Sequence, residues 1–61
     1  MNDTVMFSNR HTYELMKAEQ VPEELIARFL LGTNSISTEI GVYYEATDVN
    51  QYIKQNKKGL N

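Results

Sequence analysis

Residues 30–47 read LLGTNSISTEIGVYYEAT, and the folding of this run decides the architecture. It opens as the end of a helix, passes a glycine and a polar turn, and closes on two tyrosines. Ile36, Ile40 and Tyr43 fall at i, i+4, i+7, which is helical spacing. Ile40, Val42 and Tyr44 alternate, which is strand spacing. The run is too short for periodicity to separate the two. The helical neighbours favour a short helix.

Working outward, the segment before it is the clearest element. Pro22 suits a first helical position, where its missing N–H costs nothing. Glu23 and Glu24 follow in the first turn, where the helix dipole favours negative charge. Val21, Leu25 and Phe29 lie at i, i+4, i+8, flanked by Ile26 and Leu30, and make one apolar stripe. Glu24 and Arg28 are spaced as an outer-face i, i+4 pair. Gly32 stands where a left-handed residue would end the helix, and Asn34 or Ser35 could cap the next element. An earlier helix is expected over about Asn9–Glu19 with Ser8 as N-cap. There Tyr13 and Met16 lie at i, i+3, as do Leu15 and Ala18. A last helix is expected from Thr47 or Asp48, with Val49, Tyr52 and Ile53 on its apolar face and Gly59 as its stop. The expectation is an all-α fold of three to four short helices. The expected organisation is a flexible N-terminus over 1–8, one small helical domain over 9–58 and a tail over 59–61.

Sixty-one residues make one small domain, which buries only about 60% of its unfolded surface and gains from a partner or a staple. There is no cysteine, and His11 is the only histidine, so disulfides, thiolate metal sites and paired-imidazole sites are excluded. No cofactor or metal is expected. No run reaches the roughly 18 apolar residues of a membrane span. The N-terminus lacks the basic and apolar regions of a signal peptide. A cytoplasmic protein without membrane contact is the expectation. The net charge is −2, and residues 1–48 hold all eight acids. Lys54, Lys57 and Lys58 gather in the last thirteen residues. Nucleic-acid contact would therefore have to be local.

The stretch RHTYELM…VPEELIARFLLGTNSIS…YYEAT resembles the C-terminal part of the catalytic domain of tyrosine recombinases, the phage-integrase family. The family pattern runs H-x-L-R-H-T-F-A-T, a helix, L-L-G-H-S-x-I-S-T-T, then a tyrosine about nine residues past the second histidine. The likeness covers roughly residues 7–50 and lacks the upstream catalytic arginine and lysine. It implies a helical fold. The family chemistry uses a tyrosine nucleophile on a DNA phosphate, with arginines and histidines stabilising the phosphoryl oxygens. By the resemblance, Arg10 falls on the second conserved arginine. Phe7 and Thr33 stand at the two histidine positions. Val42 takes the nucleophile position, with Tyr43 one residue late. A one-residue slip turns a helical side chain by about 100°. Catalysis is therefore not expected.

The resemblance implies a non-catalytic recombinase-like module, a phage or mobile-element regulator contacting duplex DNA or a recombinase-fold subunit. Arg10, His11, Lys54, Lys57 and Lys58 would make those contacts. In the family, the segment after the tyrosine packs onto a neighbouring protomer. By that likeness Val49, Tyr52 and Ile53 form a docking face for a homo-oligomer, or the same face closes an intramolecular core. Two other readings stand beside it. One is a small acidic protein-interaction module, such as an anti-repressor or modulator of another regulatory protein. The other is a helix-turn-helix, because ELIARFLLGTNSISTEI is similar to that motif. Its glycine comes one residue late, and residues 33–48 carry no Lys or Arg for phosphates.

Overall fold

A computed structural model describes residues 5–32 and 34–57. The elements run β1 (Met6–Ser8), α1 (Asn9–Ala18), α2 (Glu23–Leu30), β2 (Ile36–Thr38), β3 (Gly41–Glu45) and α3 (Ala46–Asn56). The three strands form one antiparallel sheet in the order β1-β3-β2. The chain is thus a mixed α/β fold, and the all-α expectation is overturned. The expected short helix after Gly32 is the β2–β3 hairpin. Met6–Ser8, inside the segment expected to be flexible, is an edge strand paired with β3.

The alternating pattern, not the helical one, governs residues 36–45. Side chains along a strand alternate between faces. Register places Phe7 beside Tyr44 and Ser37 beside Val42. Phe7, Val42 and Tyr44 therefore share the inner face and pack into the core. Ile36 and Ile40, which set the helical spacing, are 41% and 82% exposed. That spacing marks no buried face. The turn at Glu39–Ile40 is held by Thr38, whose Oγ1 accepts from the Ile40 N–H (3.2 Å) and donates to the Gly41 carbonyl (2.8 Å). Gly41 carries the turn's positive φ of 143°, which a side chain would strain.

The three helices supply the rest of the core. It gathers Met16 of α1, Val21, Ile26 and Phe29 of and beside α2, Tyr44 of β3, and Val49 and Ile53 of α3. All pack on the inner face, giving two layers. Tyr44 is fully buried, yet its hydroxyl is satisfied: it donates to the Leu30 carbonyl (2.8 Å) and accepts from Asn9 Nδ2 (3.0 Å). Thr12 is the one buried polar residue described, and its Oγ1 has no partner among the described residues. Such a group costs about 1–3 kcal/mol.

The helix ends follow local chemistry. Ser8 caps α1 as expected, its Oγ accepting from the His11 N–H at 3.1 Å. α1 ends in a Schellman motif: the Val21 N–H bonds the Met16 carbonyl, and the Gln20 N–H bonds that of Lys17. Gln20 takes the left-handed position, φ 67°, where glycine is usual. Gln20→Gly should therefore raise the urea midpoint, stabilising by about 1 kcal/mol at unchanged m-value. Pro22 is the N-cap of α2 rather than its first residue. Gly32 has no positive φ; it is tight for another reason, since a Cβ there would lie 3.1 Å from the Arg28 carbonyl. α3 begins at Ala46, earlier than the expected Thr47 or Asp48 cap. Its first N–H bonds the Val5 carbonyl (2.9 Å), so the β1 edge finishes the helix start. The Gly59 stop lies outside the described residues.

Candidate functional site

The residues expected to contact DNA or a partner are not brought together. Arg10 and His11 stand on the first turn of α1. The Arg10 side chain is 88% exposed, with Nε 3.2 Å from Glu14 Oε2. His11 is exposed with its ring 4.8 Å from Phe7. Lys54 is exposed on α3, and Lys57 reaches Glu19 at 3.7 Å, at the far end of α1. Arg10 and Glu19 are nine residues apart, about 13 Å along a helix. Lys58 lies outside the described residues. The basic groups therefore sit at opposite ends of α1, two of them engaged by carboxylates.

Val49, Tyr52 and Ile53, expected as a docking face, close the chain's own core. Val49 and Ile53 are buried. The half-buried Tyr52 donates its hydroxyl to the Leu25 carbonyl at 2.8 Å and rests its ring 4.8 Å from Phe29.

The positions mapped from recombinases do not converge either. Phe7 and Val42 point to the inner face, and Thr33 lies outside the described residues. Tyr43 stands on the outer face between Ser8 and Ile36. No hydrogen bond joins its side chain to Arg10 or to another described residue.

One exposed cluster of charge is well ordered. Glu23 Oε2 accepts from Lys17 Nζ (2.7 Å) and Tyr13 Oη (2.9 Å), and Lys17 lies 5.9 Å from the Tyr13 ring centroid. The hydrogen bonds from Lys17 and Tyr13 hold the Glu23 carboxyl below its ordinary range. The hydrogen bond to Glu23 raises both Lys17 and Tyr13. The Glu23 contribution is present above its unfolded pKa and is lost as pH falls through the folded value. Those of Lys17 and Tyr13 are present at lower pH and are lost as pH rises through theirs. All three are exposed, so salt screens the cluster and its effect is small. It pins α2 to α1.

Two surfaces remain open. The first is the sheet's outer face and edge. Met6, Ile36 and Tyr43 lie there, and among the described residues no helix covers them. β2 is an edge strand whose three residues are all exposed. The second is a cleft of about 320 Å³ between α2 and α3. Phe29 and Tyr52 supply its aromatic surface. Its polar lining is Arg28, Asn34, Asp48, Gln51 and Gln55. Arg28 does not form the expected pair with Glu24: the ion pairs among described residues are Arg10–Glu14, Lys17–Glu23 and Lys57–Glu19.

Sequence reasoning missed this cleft. Its signal was the spacing of Asp48, Gln51, Tyr52 and Gln55 at i, i+3, i+4, i+7, a polar stripe beside the apolar one. Among the described residues, no three His, Asp or Glu side chains form a metal-binding group, and no helix is long and apolar enough to cross a membrane. Compared with known proteins, the chain matches no family model, no curated protein and no solved structure.

Proposed function

We propose that this chain is a small non-catalytic protein-interaction module whose β2 edge accepts an extended strand from a basic partner. The observation that carries this reading is an open edge in acidic surroundings. Ile36, Ser37 and Thr38 are exposed and uncharged, and they lie in a stretch, residues 29–53, with three acids and no Lys or Arg. An edge strand presents unpaired N–H and C=O groups to any incoming strand. β2 is short, which is one guard, but it carries no lysine, proline or inward charge. Strand addition uses those main-chain groups for affinity and alternate side-chain positions for specificity. Here Ile36 and Thr38, on one face of β2, would contact every second partner residue. Glu39 and Glu45 favour a partner carrying Lys or Arg over a second, equally acidic copy. They also disfavour a DNA backbone at this surface. The resemblance to recombinases enters the reading only through its missing chemistry.

Two short probes test it, Lys-Val-Lys-Val-Lys and Glu-Val-Glu-Val-Glu, titrated into labelled protein and followed by amide chemical shifts. The lysine peptide is expected to shift residues 36–43, less so at high salt, and the glutamate peptide to leave them unmoved. Ile36→Lys, at an exposed site, is expected to weaken the lysine peptide. Equal response to both peptides would sink the idea. So would duplex DNA shifting Arg10, Lys54 and Lys57 at low salt while the peptides do nothing.

A further inference from the structure

We infer that the α2–α3 cleft is a separate binding site for a short extended peptide bearing a carboxylate. It shares no residue with the β2 edge and does not depend on the strand-addition reading.

The first observation is unused polar capacity. The side chains of Arg28, Asn34, Asp48, Gln51 and Gln55 all line the cleft, and none makes a hydrogen bond or ion pair to another described residue. What sets these five apart is that they line one space.

The second is spacing. Gln51 and Gln55 are four residues apart on α3, about 6 Å along its axis. In an extended peptide, groups on the same side recur every two residues, about 6.7 Å. A glutamine amide offers both a donor and an acceptor, as a peptide group requires. Two glutamines at this interval match successive same-side peptide groups of one extended ligand. From Asp48 to Gln55 the stripe spans about 10 Å, the length of three extended residues. The cleft volume falls at the small end of the roughly 300–1,000 Å³ range of ligand sites, which also fits a few residues rather than a larger ligand.

The third is charge. Arg28 is the cation of the cleft. Its planar guanidinium presents two parallel N–H donors that match a carboxylate. Asp48 lines the same cleft without pairing to it, so the two charges remain available to a ligand that carries an acid and a donor. The aromatic rings of Phe29 and Tyr52 provide apolar contact below the polar rim. The carboxylate could belong to a peptide C-terminus or to an acidic side chain, and the chemistry at Arg28 is the same.

The test uses three acetylated tripeptides and the whole chain. Acetyl-Ala-Ala-Ala carries a free C-terminal carboxylate, its amide carries none, and acetyl-Ala-Glu-Ala-amide carries one on a side chain. Binding is read from the side-chain resonances of Arg28, Asn34, Gln51 and Gln55. At least one carboxylate peptide is expected to bind about tenfold tighter than the neutral amide, and which one does so identifies the source of the acid. Arg28→Gln is expected to erase that tenfold preference, and Gln51→Ala with Gln55→Ala to weaken all three peptides. These residues are exposed, so circular dichroism should be unchanged. Three peptides of equal affinity, or shifts confined to residues 36–43, would overturn the proposal. So would an Arg28→Gln variant that keeps the preference. Shifts at 36–43 alone would still leave the edge reading standing, so the two proposals fail separately.

Discussion

Tyr44→Ala should abolish most of the stability of this domain, while Tyr43→Ala should cost less than about 1 kcal/mol. The two residues are neighbours of identical chemistry, and only the pleat separates them. Tyr44 is wholly buried beside Phe29, ring centroids 5.3 Å apart. Removing a buried aromatic ring costs about 3–5 kcal/mol through lost transfer energy and the cavity left behind. A domain of this length has roughly 3–9 kcal/mol in total. Tyr44→Phe should fall between, near 1–3 kcal/mol, because it leaves the Leu30 carbonyl without its donor. Tyr43 faces outward and its hydroxyl bonds no described residue, so little is lost with it. Urea unfolding of the three variants checks the order. A Tyr43→Ala variant less stable than Tyr44→Ala would mean that the strand register is wrong by one residue.

Val49→Asp should leave the chain unfolded at neutral pH. Val49 is fully buried in the core cluster, and no cation of the core could receive the new charge. The penalty for an unpaired buried carboxylate is several kcal/mol, comparable with the whole stability. The outcome also separates the two uses that the sequence left open for Val49, Tyr52 and Ile53. On a docking face, Val49→Asp would fold normally and lose only a partner. In a core, circular dichroism should show a largely unfolded chain. Lowering the pH should restore part of the structure by protonating the carboxyl, because the neutral acid is far cheaper to bury. Lys54→Glu, one position beyond Ile53 on the solvent side, serves as the control and should unfold within about 0.5 kcal/mol of the parent.

The helices were legible because their signals are local. Ser8, the paired acids after Pro22, and the Val21–Leu25–Phe29 stripe flanked by Ile26 and Leu30 each act within a turn or two, and the stripe does face the core, with Val21, Ile26 and Phe29 buried and Leu25 and Leu30 partly so. The sheet was not legible. β1 is three residues long and finds its partner about 35 positions away, so no window of sequence contains the reason for it. The hairpin is hard to read because Ile36 and Ile40 give a helical interval with no buried face behind it. The residues were nonetheless strand-like in type, with Ile, Thr, Val and Tyr dominating 36–44. The turn lacks the Asn-Gly or Asp-Gly pair that usually announces a hairpin. Its left-handed demand falls on Gly41, one step later. The cleft escaped notice because polar side chains on a helix are ordinarily solvated. Only the packing of α2 against α3 shows that four of them, with Asn34 of the loop, face one space.

Strand order has a further consequence for how this chain reaches its fold. β3 is the central strand, and its two neighbours are drawn from very different distances. β2 joins it through a two-residue turn, a closure of the microsecond class. β1 joins it only after a loop of more than thirty residues, holding α1 and α2, has been closed. Closing that loop costs entropy before any contact repays it. The first helix start and the last strand therefore meet late, and until they do the inner face of Tyr44 is uncovered on one side. During synthesis the sheet cannot form before Glu45 has left the ribosome, so α1 and α2, too short to be stable alone, wait for the strand that joins them.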